Sequence, residues 1–240
     1  MRSRQEIKAI GRSRFQANYW PCVLACLLVA IAIGVVSGAL SAPAAIRAAN
    51  SGDYYYYDYG SMRMSVSMNF GSILTLIIAG PLEIGLAYFF IMNVLGRTDI
   101  TCTTPFTAAF TGFGRKLGGY LWMCLFTFLW SLLFIIPGII KSFSYAMTPY
   151  ILADCPNVKA TDALKLSMRI MKGHKWDLFV FYLSYIGWGI LCCLTLGLLA
   201  LFYVSPYMNS SLAVYYLEVR EEALRNGVIT MGQLEGTEAV

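Results

Sequence analysis

Six apolar blocks dominate this sequence: Tyr19–Ala42, Phe70–Leu95, Gly118–Ile136, Gly138–Ala153, Trp176 to about Leu196, and about Leu198 to Leu217. They exceed the run of about ten to fourteen apolar residues that a buried helix of a soluble protein uses. That pattern admits one broad solution, an all-α helix bundle whose apolar helices cross a bilayer. Composition agrees. The chain of 240 residues is 58% hydrophobic and 13% charged, whereas a soluble domain carries about 25% charged residues. Too few charges are present to cover a water-facing surface.

The third and fourth blocks adjoin across Pro137. Fused, they would make a helix of about 36 residues, roughly 54 Å long at 1.5 Å per residue, against a hydrocarbon core of about 30 Å. Charge also argues for two crossings. With six crossings and a cytoplasmic N-terminus, fifteen of the eighteen Lys and Arg residues fall inside, all but Arg47, Arg63 and Lys141. Merging the two blocks would send the basic segment Lys159–Lys175 outside, against the positive-inside rule. Pro137–Gly138 is therefore read as an outer turn, because proline lacks an N–H and fits a first helical turn and glycine tolerates the reversal.

The resulting layout is one membrane domain over 1–240. It has a cytoplasmic amphipathic segment at 1–18, an extracellular Tyr-rich loop at 43–69 and a cytoplasmic tail at 218–240, in a bacterial cell membrane with both termini cytoplasmic. The first apolar stretch, about 24 residues long, exceeds a usual signal core and reads as an uncleaved helix.

Several function classes fall away. The net charge of +5 is scattered, with no basic stripe and no aromatic binding platform, so no nucleic-acid partner is implied. The seven cysteines include no CxxC pair and no metal spacing, and none lies in the long outer loop, so a disulfide framework is not expected. With a single histidine, His174, and no hydrolase, nucleotide-binding or paired-carboxylate motif, the chain reads as non-enzymatic, without cofactor or metal.

Three stretches that precede a crossing look amphipathic. From Ala160, the residues Ala163, Leu164, Ser167, Met168 and Met171 share one helical face and Asp162, Lys165, Arg169 and Lys172 the opposite one, with Thr161 as the start cap and Gly173 as the stop. Phe106, Ala109, Phe110 and Phe113 follow a Thr-Pro start at helical spacing, and Ile7, Ile10 and Phe15 oppose Arg4, Lys8 and Arg12. Such helices lie in the membrane interface; packing on other protein is the competing reading. Each precedes two crossings, and aligning Pro81, Pro137 and Pro206 puts Tyr88, Tyr145 and Tyr215 at similar offsets. This suggests a threefold internal repeat, with chance likeness among apolar helices as its rival.

The blocks "PGIIKSFSYAMTPYILAD", "DALKLSMRIMKGHKW", "LSYIGW" and "SPYMNSSLAVYY" resemble, in order, the signature blocks of a bacterial, mainly Gram-positive, integral-membrane family, domain of unknown function 975. The likeness covers roughly Gly71 to Tyr216. The resemblance implies a multi-pass membrane protein and supplies no activity and no catalytic residues.

Candidate site residues follow from chemistry. Glu83 falls about thirteen residues into the second crossing, near the midplane, where a charge costs about 2.5–3.5 kcal/mol. It is a proton or cation site, or a hydrogen-bonded structural acid. Lys141 snorkels to the headgroups or pairs with Glu83. Asn209, with Ser205, Ser210 and Ser211, adds polarity to the last crossing and joins helices by hydrogen bonds. Glu83, Lys141 and Asn209 together form the candidate intramembrane polar site. Lys165, Arg169, Lys172, His174 and Lys175 form the candidate contact for anionic lipid. Membrane lipids are the implied partners, with other membrane proteins beside them. The functional reading is a scaffold, regulator or accessory subunit; the alternative is a small-solute or proton-coupled ion transporter using Glu83.

Overall fold

The structure, a computed structural model, describes residues 2–50, 70–97, 99–238 and 240. Tyr54–Tyr57, Tyr59 and Arg63, and with them most of the expected outer loop, lie outside the described residues. Among these, every regular element is helical: α1 (Arg4–Ala17), α2 (Tyr19–Asn50), α3 (Phe70–Val94), α4 (Thr104–Phe110), α5 (Phe113–Leu133), α6 (Ile135–Tyr145), α7 (Thr148–Asp154), α8 (Ala160–Ile170), α9 (Lys175–Leu183), α10 (Ile186–Leu194), a π-helical turn (Ala200–Val204), α11 (Ser205–Arg225) and α12 (Met231–Glu235). The all-α expectation holds. The backbone of 43–50, expected as loop, continues α2.

Local chemistry explains many of the boundaries. Ser3 and Glu6 form a capping box: the Glu6 amide donates to Ser3 Oγ at 3.3 Å and the Ser3 amide to Glu6 Oε2 at 2.8 Å, which opens α1. Helices α4, α7 and α11 each begin with Thr-Pro or Ser-Pro and then an aromatic residue; proline sits in a first turn, where its missing N–H removes an orphan donor. The helix expected from Ala160 does start there, but Lys159, not Thr161, holds the cap position. Gly173 follows its end with φ +94°, a conformation that favours glycine.

Four described stretches are long and apolar enough to cross a membrane: Tyr19–Gly38, Thr75–Val94, Phe113–Leu133 and Lys175–Leu194. The fourth and sixth expected crossings are not among them. The fourth block is divided into α6 and α7, and α6, with 11 residues, is only about 16 Å long. The sixth becomes the π-turn and α11, whose Ser210, Ser211, Tyr215 and Tyr216 are buried in protein.

The outer turn also moves. The break between α5 and α6 is the single extended residue Phe134, with φ −156° and ψ 141°; Pro137 is the third residue of α6. Gly138 instead lets the two helices touch, since an added Cβ would lie 2.8 Å from Ser131 Cα. The three repeat-marking prolines do not share a local structure: Pro81 lies inside α3, Pro137 in the first turn of α6 and Pro206 in the first turn of α11.

Two of the three amphipathic helices, α8 and α1, pack their apolar faces on protein, whereas Phe110 of α4 is exposed. In α8, Ala163, Leu164, Leu166, Ser167 and Ile170 are buried, and the Ser167 hydroxyl donates to the Ser144 carbonyl at 2.8 Å. In α1, Ile7, Gly11 and Phe15 are buried. Gly11 rests against Ser211 of α11: an added Cβ would lie 2.7 Å from its Cα. The Arg2 guanidinium pairs with Glu218 at 2.9 Å, and the Phe15 ring meets Tyr203 at 5.6 Å. These contacts run antiparallel, so α1 follows α11 along its length. Around them, Phe89, Phe90, Met147, Ile151, Phe181, Tyr215 and Tyr216 form one buried core. Exposed apolar side chains concentrate elsewhere, in α2, in α5–α6 and in the segment from Leu183 to Phe202.

Candidate functional site

Glu83 lies on α3 between two glycines that admit other helices. At Gly80 an added Cβ would lie 3.0 Å from Tyr120 Cβ of α5, so the absent side chain makes room for that ring. So placed, Tyr120 lies beside the Glu83 carboxyl and the Cys124 thiol. At Gly85 an added Cβ would collide with the Pro105 carbonyl oxygen and lie 3.0 Å from the Ala109 nitrogen, so α4 seats directly on the α3 backbone. Glu83 itself stays on the surface of the bundle.

The residues expected beside it lie elsewhere. Lys141 Nζ sits 4.8 Å over the Trp130 ring, a cation–π contact in place of the pair with Glu83. Asn209 donates to the Ser205 carbonyl of its own helix at 2.9 Å. Lys141 does share a cleft of about 430 Å³ with Lys165, Trp122, Phe126, Trp130 and Met168. Two lysines assigned to opposite membrane faces therefore flank one apolar groove.

The basic cluster is also divided. Lys165 pairs with Asp162 at 3.2 Å, while Arg169 and Lys172 are exposed and Lys175 is half-buried. His174 faces protein carboxylates, with Nε2 3.6 Å from Glu222 and Nδ1 3.9 Å from Asp177. Its carbonyl accepts from the Tyr215 hydroxyl at 3.1 Å.

A polar network that the sequence reading missed joins α5, α7 and α11. The Arg115 guanidinium donates to the carbonyls of Leu152 at 2.8 Å, Cys155 at 3.1 Å and Val158 at 3.0 Å; it closes the C-terminus of α7, as a cation does at a helix C-terminus. Lys116, buried, donates to the Ala108 carbonyl and does the same for α4. Asp154 receives Arg220 and the Tyr216 hydroxyl, the latter at 2.9 Å. Burial alone would lower Arg220's pKa, but the Asp154 carboxylate and the Tyr216 hydroxyl together outweigh it and raise it. Burial, reinforced by Asp154, pushes the Cys155 thiol up to about 12. The signal for Arg115 and Lys116 was their place at the start of α5; the acceptors of Arg115 are remote in sequence, whereas that of Lys116 lies in the preceding helix. Beside this network a cleft of about 550 Å³ is lined by Tyr88, Met92, Thr107, Arg115, Lys116 and Asp154. Among the described residues no group of His, Cys, Asp and Glu is placed to hold a metal ion.

The fold and these contacts define a helical-bundle protein with several apolar helices of membrane-crossing length, in which Arg115 and Lys116 close the ends of neighbouring helices. More particularly, residues 132–223 match the model of a family described as protein of unknown function (DUF975). The family resemblance in the sequence holds over that segment, which is shorter than Gly71–Tyr216. No curated protein matches the chain, and no solved structure matches it.

Proposed function

We propose that this chain is a multi-pass protein of the bacterial cell membrane that works as a non-enzymatic scaffold, regulator or accessory subunit. The observation that carries this reading is the scattering of the polar candidates. A transporter that used Glu83 with Lys141 and Asn209 would gather them around one cavity. Instead Glu83 meets Tyr120, Lys141 meets Trp130 and Asn209 bonds within its own helix. Arg115 and Lys116 close helix ends, and the apolar groove along α5, α6 and α8 faces outward.

The test is ion flux. The purified chain in vesicles containing a pH-sensitive dye passes no proton or ion current above that of empty vesicles. A current that Glu83→Gln abolishes, with the fold retained, would overturn the reading in favour of transport. In native membranes, a photo-crosslinking side chain at Phe126 captures a defined neighbour, whereas one at buried Phe181 captures none.

A further inference from the structure

The apolar turn after α10 is too short on its return leg to reach the far side of a membrane. Helix α1 fixes a reference level. Its Arg12 and Arg14 are exposed, and between them and α2 the Phe15 ring meets Tyr203 at 5.6 Å. On the outgoing leg Trp188 meets the same Tyr203 at 5.3 Å. Just before it Lys8 of α1 reaches the Ser184 hydroxyl and lies 4.2 Å over the Tyr185 ring. From Trp188 to Leu194, and from Tyr203 back to Gly197, each leg has about six residues, or roughly 9 Å of helix. Even fully extended, six residues reach only about 21 Å, against a hydrocarbon core of about 30 Å.

The turn is nevertheless built for an environment without water. Leu194, Leu196 and Leu198 are 76%, 93% and 60% exposed, and no charged residue lies between Trp188 and Tyr203. Leu196 holds φ +52°, a position where a turn in water favours Gly or Asn. Every amide from Thr195 to Leu199 donates inside the turn. Those of Thr195, Leu196, Gly197 and Leu198 reach the carbonyls of Leu191, Cys193, Cys192 and Thr195, and that of Leu199 reaches Thr195 Oγ1. The Thr195 hydroxyl in turn donates to the Leu191 carbonyl. Hydrocarbon demands that internal satisfaction, because it offers backbone groups no partner. The base of the hairpin adjoins α2, where the Tyr19 hydroxyl donates to the Phe202 carbonyl at 3.1 Å.

We infer that Gly189–Phe202 is a re-entrant hairpin whose leucine tip is seated among the lipid acyl chains of the leaflet next to α1, and that α9–α10 is not a crossing. The inference rests on the membrane reading of the chain. It makes α11 a helix on the same side as α1, and keeps both termini on one side with fewer crossings than six.

The test uses the full chain, with its native cysteines replaced by alanine, in phosphatidylethanolamine–phosphatidylglycerol vesicles. Single cysteines are placed at Leu196, Arg12 and Ile31 and treated with a membrane-impermeant maleimide from each side. Arg12→Cys reacts from one side. Leu196→Cys reacts from neither, at least tenfold slower than in detergent, yet readily with an apolar, permeant maleimide. Labelling of Leu196→Cys from the side opposite Arg12 overturns the inference, because the hairpin then crosses. Labelling from the Arg12 side also overturns it, because the tip then stands in water. Protection that persists in detergent overturns it too, because protein then covers the tip. Aqueous labelling of Ile31→Cys as well would fail the membrane reading itself. If the cysteine-free background misfolds, the exposed native Cys193 serves in the wild-type chain, with its labelling read by peptide mass.

Discussion

Substituting alanine for Gly11 separates a docked α1 from one lying free on a membrane surface, because the two arrangements predict opposite signs. On a free amphipathic helix, Gly→Ala stabilises by about 1 kcal/mol through helix propensity. Docked on α11, the new Cβ would lie 2.7 Å from Ser211 Cα and 2.9 Å from Ser211 N. Carbon pairs pack best at about 3.5–4.0 Å, so the helices must part by roughly 1 Å. Backbone atoms supply the clash, and no rotamer change relieves it. Overpacking of that kind costs about 1–3 kcal/mol, leaving a net loss of up to about 2 kcal/mol after the propensity gain. For a chain of this size that lowers Tm by up to roughly 8 °C, read as thermal unfolding of the detergent-solubilised protein. Ser211→Gly in the same chain removes the hydroxyl but leaves the backbone clash, so recovery is partial. Gly34→Ala is the control, since a Cβ there meets nothing within 4 Å and leaves stability unchanged or raises it. If Gly11→Ala raised Tm as Gly34→Ala does, the docking of α1 on α11 would be refuted.

Three further outcomes follow from the polar contacts. Arg115→Met removes three donors from the α7 terminus and lowers stability by about 2–4 kcal/mol in denaturant unfolding, since bonds to charged groups are worth about 1.5–3 kcal/mol each and water recovers part of the loss; a loss below about 0.5 kcal/mol would discount the cap. Cys155, with its thiol at about 12 against an ordinary 9.0, stays protonated when folded while the unfolded chain ionises. Its stabilising contribution is therefore complete below about pH 9 and is lost as pH rises toward 12. In detergent at pH 8 it reacts with iodoacetamide far more slowly than Cys193, which no protein covers, and equal rates would contradict its burial. Glu83→Gln and Lys141→Met, having separate partners, add within about 0.5 kcal/mol in a double-variant cycle; a larger coupling would restore the direct pair.

Pattern and charge in the sequence were enough for the helical class, for apolar helices of membrane-crossing length, for the break between α5 and α6 to within about three residues of Pro137, and for the family likeness found over 132–223. Each is a local property, set by hydrophobic period, proline chemistry and run length. The capping box Ser3–Glu6 was equally legible and went unread. Tertiary structure alone decided what covers each apolar face. Periodicity shows that Ile7, Gly11 and Phe15, or Ala163, Leu164 and Ser167, share a side. It cannot say whether lipid or protein lies against them, because a bilayer interior and a protein core are equally apolar. The same holds for Lys141, whose neighbour Trp130 lies across the α5–α6 hairpin, and for Arg115, whose three carbonyls belong to a segment some forty residues on. Glu83 took its place from Gly80 and Gly85, where absent side chains let Tyr120 and α4 close in. The sequence set which groups are apolar, charged or bendable; the packing of distant segments set their partners, because a contact energy depends on both surfaces and only one of them is written locally.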